Sequence, residues 1–292
     1  MSGVATVAIE HVTRYRYDQP VRLGEHRMLM RPRESYDQRL LEADLRISPE
    51  PASLRWIQDA FGNAVAIADF SGKTNALEVH ATATVEHRPL RREDIRIEEY
   101  AREWPFTYAA EDLPDLARSI ERKHPDPGRV VDEWARRFVS HDGSTGTLDL
   151  LTAMTGAIQL DFDYQAREEE GTQSPLETLK RGAGTCRDYA VLMLAAVRSL
   201  GFAARFVSGY LYETGGGDQR VGGHSTHAWV RVFLPGSGWV EFDPTNGITG
   251  NDGLIRTAIA RDPVHAKPMT GSLTGPSGNS STMEVDVSIA RV

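Results

Sequence analysis

The chain has 292 residues, 40% of them hydrophobic and 25% charged, with a formal net charge of −8. That is enough apolar sequence for one large domain or two modest ones, and the acidic balance excludes a general polyanion binder, so nucleic acid is not an expected partner. The first residues lack a basic stretch followed by a sustained apolar run, no run approaches the roughly 18 apolar residues of a membrane helix, and the single cysteine, Cys186, is a free thiol suited to a reducing compartment; a cytoplasmic protein with no membrane partner is expected.

Residues 1–90 read as a β-rich unit of sandwich or barrel type. Residues 76–86 (Ala-Leu-Glu-Val-His-Ala-Thr-Ala-Thr-Val-Glu) alternate with the period of a half-buried strand. Ser48-Pro49-Glu50-Pro51 breaks the pattern, and residues 59–63 (Asp-Ala-Phe-Gly-Asn) suit a hairpin tip. Residues 91–146 form a connector and helices leading into a core: 91–107 are charged and proline-marked, and 115–123 and 130–139 carry helical spacing. Residues 147–270 form the core itself, beginning with a helix over 147–160. Ser174-Pro175-Leu176-Glu177 then predicts a helix start, with a serine cap and proline at the first helical position.

Gly-Ala-Gly-Thr-Cys-Arg-Asp-Tyr-Ala follows, a glycine turn running into the most regular helix of the chain. Tyr189, Ala190, Met193, Leu194 and Val197 share one stripe of it, and Gly201 marks its end. Cys186 stands at its start, where free backbone N–H groups and the positive end of the dipole favour a thiolate and could hold an oxyanion. Arg187 and Asp188 read as a solvated or salt-bridged first turn. Three strands are predicted next, over 204–212, 227–234 and 238–242. Neighbouring strands lie about 4.8 Å apart, so His227 on one and Asp243 at the end of the next can share a hydrogen bond. Cysteine, histidine and aspartate in that order suggest covalent acyl chemistry. Trp229 is a candidate for the wall of an acyl-donor groove, with a core position as the competing reading. Tyr164, in Asp161-Phe162-Asp163-Tyr164, is the other candidate substrate contact. His224 falls on the opposite face of its strand from His227, so neither a metal nor a cofactor is expected. The glycine-rich residues 214–223 are expected to form a mobile loop beside the site, and residues 271–292 a flexible lead, rich in Gly, Ser and Thr, to a final strand over 283–289.

The motifs Ser-Pro-Leu-Glu-Thr-Leu, Gly-Ala-Gly-Thr-Cys-Arg-Asp-Tyr-Ala, Arg-Ser-Leu-Gly-Phe-Ala-Ala-Arg-Phe-Val-Ser-Gly-Tyr-Leu, Thr-His-Ala-Trp-Val and Phe-Asp-Pro-Thr-Asn occur in this order between residues 162 and 261. This run resembles the bacterial branch of the transglutaminase-like superfamily, relatives of papain-type cysteine peptidases. The stretch from His11 to Arg33, with Tyr15-Arg16-Tyr17, Pro20-Val21 and Arg31-Pro32-Arg33, resembles the β domain that precedes such cores. The resemblance implies an α+β fold in which a helix with an N-terminal cysteine packs on an antiparallel sheet. It also implies that Cys186 is the nucleophile, His227 the general base and acid, and Asp243 the residue that orients the histidine. The expected partner is a peptide or protein acyl donor. Hydrolysis of a peptide or amide bond is the first expectation, since no long acidic calcium-binding loop is evident. Transamidation of protein glutamine comes second, and acyl transfer to a small amine is weaker. A non-catalytic binding or scaffold module remains the alternative from another class, and the complete triad argues against it.

Overall fold

The computed structural model describes residues 3–141, 144–166, 171–214, 220–221 and 225–292. Most of the glycine-rich 214–223 stretch, and His224, lie outside them.

The N-terminal unit is built around one long strand, β1 (Ala5–Met28). Alternation along its first half buries Ala5, Val7 and Ile9. Its pairing with β5 (Thr74–His87) runs from Ala5 to Arg16 and then shifts before Val21. Asp18-Gln19-Pro20 spans that break, and proline has no N–H to give to a ladder. Beyond it, His26 to Met28 pair with β4 (Ala64–Asp69). With β2 (Gln38–Ser48) beside β5 and β3 (Ser53–Gln58) beside β4, the order is β2-β5-β1-β4-β3. The layers of the expected sandwich are thus one sheet curled over at β1, closed on Tyr17, Val21, Leu23, Met28, Ala66, Leu77 and Val79.

The connector carries β6 (Glu103–Trp104), α1 (Leu113–Ile120) and α2 (Val130–Arg136). β6 pairs with β7 (Thr145–Gly146), which leads into α3 (Thr147–Asp161). β8 (Asp163–Tyr164) runs parallel to β9 (Ala183–Gly184), which follows α4 (Pro175–Arg181). The Ser174 hydroxyl accepts from Glu177 N at 3.2 Å, the cap expected from the sequence. α5 (Cys186–Ser199) crosses the middle of the core, with Ala190, Leu192, Met193, Ala196 and Val197 wholly buried. Each large apolar side chain buried in this way contributes roughly 1.5–3 kcal/mol.

α5 packs on a five-stranded antiparallel sheet ordered β13-β12-β11-β10-β14. Its members are β10 (Ala204–Leu211), β11 (His227–Leu234), β12 (Gly238–Asp243), β13 (Ile248–Thr249) and β14 (Leu254–Ala260). β14 is not among the predicted strands, and all seven of its residues are buried. The N-terminal unit covers its edge with two amide side chains. Gln38 accepts from Arg256 N and donates to Arg256 O, each at 2.9 Å. Asn63, from the β3–β4 hairpin tip, accepts from Ile259 N at 2.9 Å and donates to Ile259 O at 2.8 Å. An edge that would otherwise offer free backbone groups is closed by its own chain.

Buried polar contacts strengthen this joint. The Arg256 guanidinium donates at 2.9 Å to both Asp37 and Glu241, and their two charges outweigh the cost of burying it. Two histidine–tyrosine pairs lie alongside, His11 Nδ1 with the Tyr210 hydroxyl and His87 Nδ1 with that of Tyr212, each at 2.9 Å.

The last strands return to the first. β15 (Met269–Thr274) pairs with β1 between Arg22 and Met28, and β16 (Ser281–Arg291) pairs with β1 from Val7 to Tyr17. The expected flexible lead is corrected accordingly: residues 269–274 are a strand, held by backbone pairing to a partner far away in sequence. Among the described residues no helix is long and apolar enough to cross a membrane.

Candidate active site

Cys186 is the first residue of α5, and Thr185 is its cap. The Asp188 carboxylate accepts from Thr185 N at 2.9 Å, from the Thr185 hydroxyl at 2.9 Å and from Gln173 N at 2.7 Å. The solvated or salt-bridged first turn read from the sequence is therefore corrected for Asp188, which is wholly buried and ties the turn before Cys186 to the strap at Gln173 by hydrogen bonds. Gly184 is required here, because a Cβ would stand 2.9 Å from that of Asp188. Arg187, by contrast, is exposed.

His227 opens β11 opposite Gly209 of β10. Gly209 has no room for a side chain: a Cβ would lie 2.0 Å from the Ile255 carbonyl oxygen and 2.7 Å from the Trp229 ring. Asp243 ends β12, one residue beyond Phe242, which pairs with Val230. His227 Nε2 and Asp243 Oδ2 are 2.8 Å apart with both side chains wholly buried. Thr245 N donates to Asp243 Oδ1 at 2.9 Å and Asn246 Nδ2 donates to Oδ2 at 2.8 Å. Asn246 is a site residue the sequence reading left unassigned, although it closes the quoted Phe-Asp-Pro-Thr-Asn motif.

With Nε2 committed to Asp243, Nδ1 of His227 has no nitrogen or oxygen partner and is left for the sulfur of Cys186. Burial pushes the thiol up, but the hydrogen bond and charge of His227, helped by Arg187, pull it below the ordinary thiol range. Burial likewise disfavours the imidazolium, and Asp243 outweighs it, holding His227 up at about 10. Asp243 is raised by burial and lowered further by His227, Asn246 and Thr245, so it stays a carboxylate. Both shifts favour the thiolate–imidazolium form of the pair. Alkylation of Cys186 by iodoacetamide is expected to titrate well below pH 8.5; a rate that climbs only above that value would undo this assignment.

The two candidate substrate contacts part company. Tyr164 is paired with Gly184 through β8 and β9, which sets it beside the turn leading into Cys186. Burial, then the charge of the sulfur, push the Tyr164 hydroxyl up to about 12, so it remains a donor. Trp229 is corrected: it is 0% exposed, packed against Val207, Leu211, Leu254 and Ile259. Its ring lies 5.9 Å from that of His227 with 28° between the planes, so it backs the imidazole and reaches no groove.

Two family models match the chain. The bacterial transglutaminase-like N-terminal region covers residues 7–86, and the transglutaminase-like superfamily core covers residues 132–244, which holds Cys186, His227 and Asp243. The chain belongs to the transglutaminase-like superfamily. Among similar proteins, an uncharacterised protein of Mycobacterium tuberculosis is 27% identical over 99% of this chain and 93% of its own length. One from Mycobacterium leprae is 25% identical over 97% and 98%. A protein-glutamine gamma-glutamyltransferase of Pseudomonas aeruginosa is 30% identical over 44% of this chain and 17% of its own length. The crystal structure of a candidate cysteine protease from Cytophaga hutchinsonii superposes with a TM-score of 0.75, covering 100% of this chain and 92% of that one at 20% identity. The fold, N-terminal unit included, is therefore shared with that structure along the whole chain.

Proposed function

We propose that this protein is a cysteine-dependent acyl-transfer enzyme that hydrolyses peptide or amide bonds through Cys186, His227 and Asp243. The observation that carries the reading is the division of the His227 ring: Nε2 is held by Asp243 at 2.8 Å, and Nδ1 is left for the thiol at the start of α5. In the first half-reaction the Cys186 sulfur bonds to the carbonyl carbon, and the developing oxyanion meets the free N–H groups of the first turn of α5 and the Tyr164 hydroxyl. His227 Nδ1 gives its proton to the leaving amine as the C–N bond breaks, and a thioester remains. Water then attacks the thioester, His227 takes its proton, the C–S bond breaks and a carboxylic acid leaves. Asp243 holds the imidazole orientation throughout.

Replacing that water with a lysine amine gives transamidation by the same residues. The Pseudomonas relative, a protein-glutamine gamma-glutamyltransferase, keeps this as the second reading. Mass spectrometry of the protein and its Cys186→Ala variant with a library of glutamine-containing peptides, with and without a primary amine, separates the possibilities. Cleaved or deamidated peptides absent from the variant support hydrolysis, and amine-ligated products support transamidation. A complete lack of Cys186-dependent product would leave a binding module.

A further inference from the structure

A cleft of about 260 Å3 reaches His227 and Arg187 from one side of the core. Its apolar lining includes Phe206, Val264 and Pro268, and among the described lining residues the lysines and arginines are Lys123, Arg187 and Lys267, with no aspartate or glutamate. In a chain of net charge −8 this is a local reversal of sign. Lys267 and Arg187 have no ion-pair partner among the described residues. Lys123 shares the Asp262 carboxylate, at 3.5 Å, with Arg198 and with Arg261, which also meets Glu121 at 3.5 Å, so Lys123 holds only a share of one carboxylate. The cleft does not end there. Val264 and Lys267 also line a second depression of about 540 Å3, which continues onto the N-terminal unit at Asp59, Ala60 and Phe61. The Phe61 ring lies 5.8 Å from His265, so the hairpin tip forms the far wall. Asp59, the carboxylate among its described lining residues, is taken up by its own turn, accepting from Phe61 N at 2.9 Å and Asn63 N at 2.8 Å.

We propose that this groove selects acidic peptides: the reacting amide lies at Cys186, neighbouring carboxylates lie against Lys123, Arg187 and Lys267, and the distal end rests on the β3–β4 hairpin. The placement of the amide rests on the acyl-transfer reading; the preference for carboxylates does not. Cationic side chains along a partly desolvated groove attract anionic ligands more strongly than they would in open water, and salt screens that attraction over about 10 Å at 0.1 M. The N-terminal unit, on this view, supplies part of the substrate surface.

The test uses the full-length Cys186→Ala protein, so that binding is read without turnover. Fluorescent glutamine-containing hexapeptides flanked by glutamate, by glutamine or by lysine are titrated by anisotropy at low and high salt. The glutamate series is expected to bind at least tenfold more tightly than the lysine series, with the difference shrinking as salt rises. Charge reversal by Lys123→Glu with Lys267→Glu is expected to abolish or invert that order, and the milder Lys123→Gln with Lys267→Gln pair to narrow it, at matching thermal midpoints. Equal binding of the three series, or an order that survives reversal, overturns the proposal whatever the turnover assay shows. Acidic preference without any Cys186-dependent turnover keeps the groove assignment and removes the acyl-transfer reading.

Discussion

Asp243→Asn is expected to lower Cys186-dependent turnover by about three to four powers of ten while the fold survives. The reason lies in the demands on the two carboxylate oxygens. Oδ1 accepts from Thr245 N, and Oδ2 accepts from both His227 Nε2 and Asn246 Nδ2. An asparagine has one acceptor oxygen and one donor nitrogen, so one of these positions must present N–H to N–H. If the nitrogen takes the Oδ2 place, His227 can answer only by moving its proton to Nδ1, and that atom can then no longer accept the thiol proton. If it takes the Oδ1 place, the Thr245 turn is broken and the imidazolium loses its counter-charge. Both outcomes also return the thiol towards its ordinary range, so the alkylation profile is expected to shift upwards together with the loss of kcat. An unaltered rate in a well-folded Asp243→Asn protein would make Asp243 a purely structural residue.

Acidification is expected to weaken the joint between the two units before it protonates the buried carboxylates. His11 and His87 are lowered from 6.5 to about 4 by burial, His87 also being pushed down by Arg256 and up by Asp37. Both are therefore neutral in the folded protein where the unfolded chain would already be charged. The unfolded state binds more protons between about pH 6.5 and 4, so stability falls as pH falls through that window and is fully present above it. At 1.36 kcal/mol per pKa unit, the drop is roughly 3 kcal/mol for each histidine. Asp37, lowered to about 2 against the pull of burial chiefly by Arg256, adds its loss only below its ordinary value near 3.8. Urea unfolding from pH 7 to 4 checks this, and His11→Gln with His87→Gln is expected to flatten the slope. A slope that persists in the double variant would assign acid sensitivity to other groups.

What could be read in the sequence was whatever one element determines by itself. The cysteine-bearing helix, the Ser174 cap, the alternation of residues 76–86 and the meeting of His227 with Asp243 all follow from local spacing and strand geometry. β14 could not be read, because its burial is created by Gln38, Asn63 and Asp37 from residues roughly two hundred positions earlier. With both faces covered, Leu-Ile-Arg-Thr-Ala-Ile-Ala shows no alternation, and Arg256 in its midst looks like a surface residue until Asp37 and Glu241 are placed around it. Residues 269–274 were misread for the matching reason: their composition is that of a linker, and only β1 makes them a strand. Asp188 and Trp229 share one lesson. Asp188 reads as part of a solvated or salt-bridged turn and Trp229 as the wall of a groove, yet each is wholly buried and acts by packing or hydrogen bonding from behind.

The return of β15 and β16 to β1 has a bearing on the order of events during synthesis. β1 is made first, but the partner of its Val7–Tyr17 segment on the side away from β5 is made last, as residues 281–291. The transglutaminase-like core, from α2 to β14, thus sits as an insertion between strands of a single sheet. A nascent chain can collapse its core while one flank of β1 still lacks a neighbour, and such an unpaired flank is a template for association with other chains. Pairings this distant in sequence are also slow to form, because a long loop must close before any ladder hydrogen bond is gained. Completion of the N-terminal sheet must therefore wait until residues 281–291 have been made.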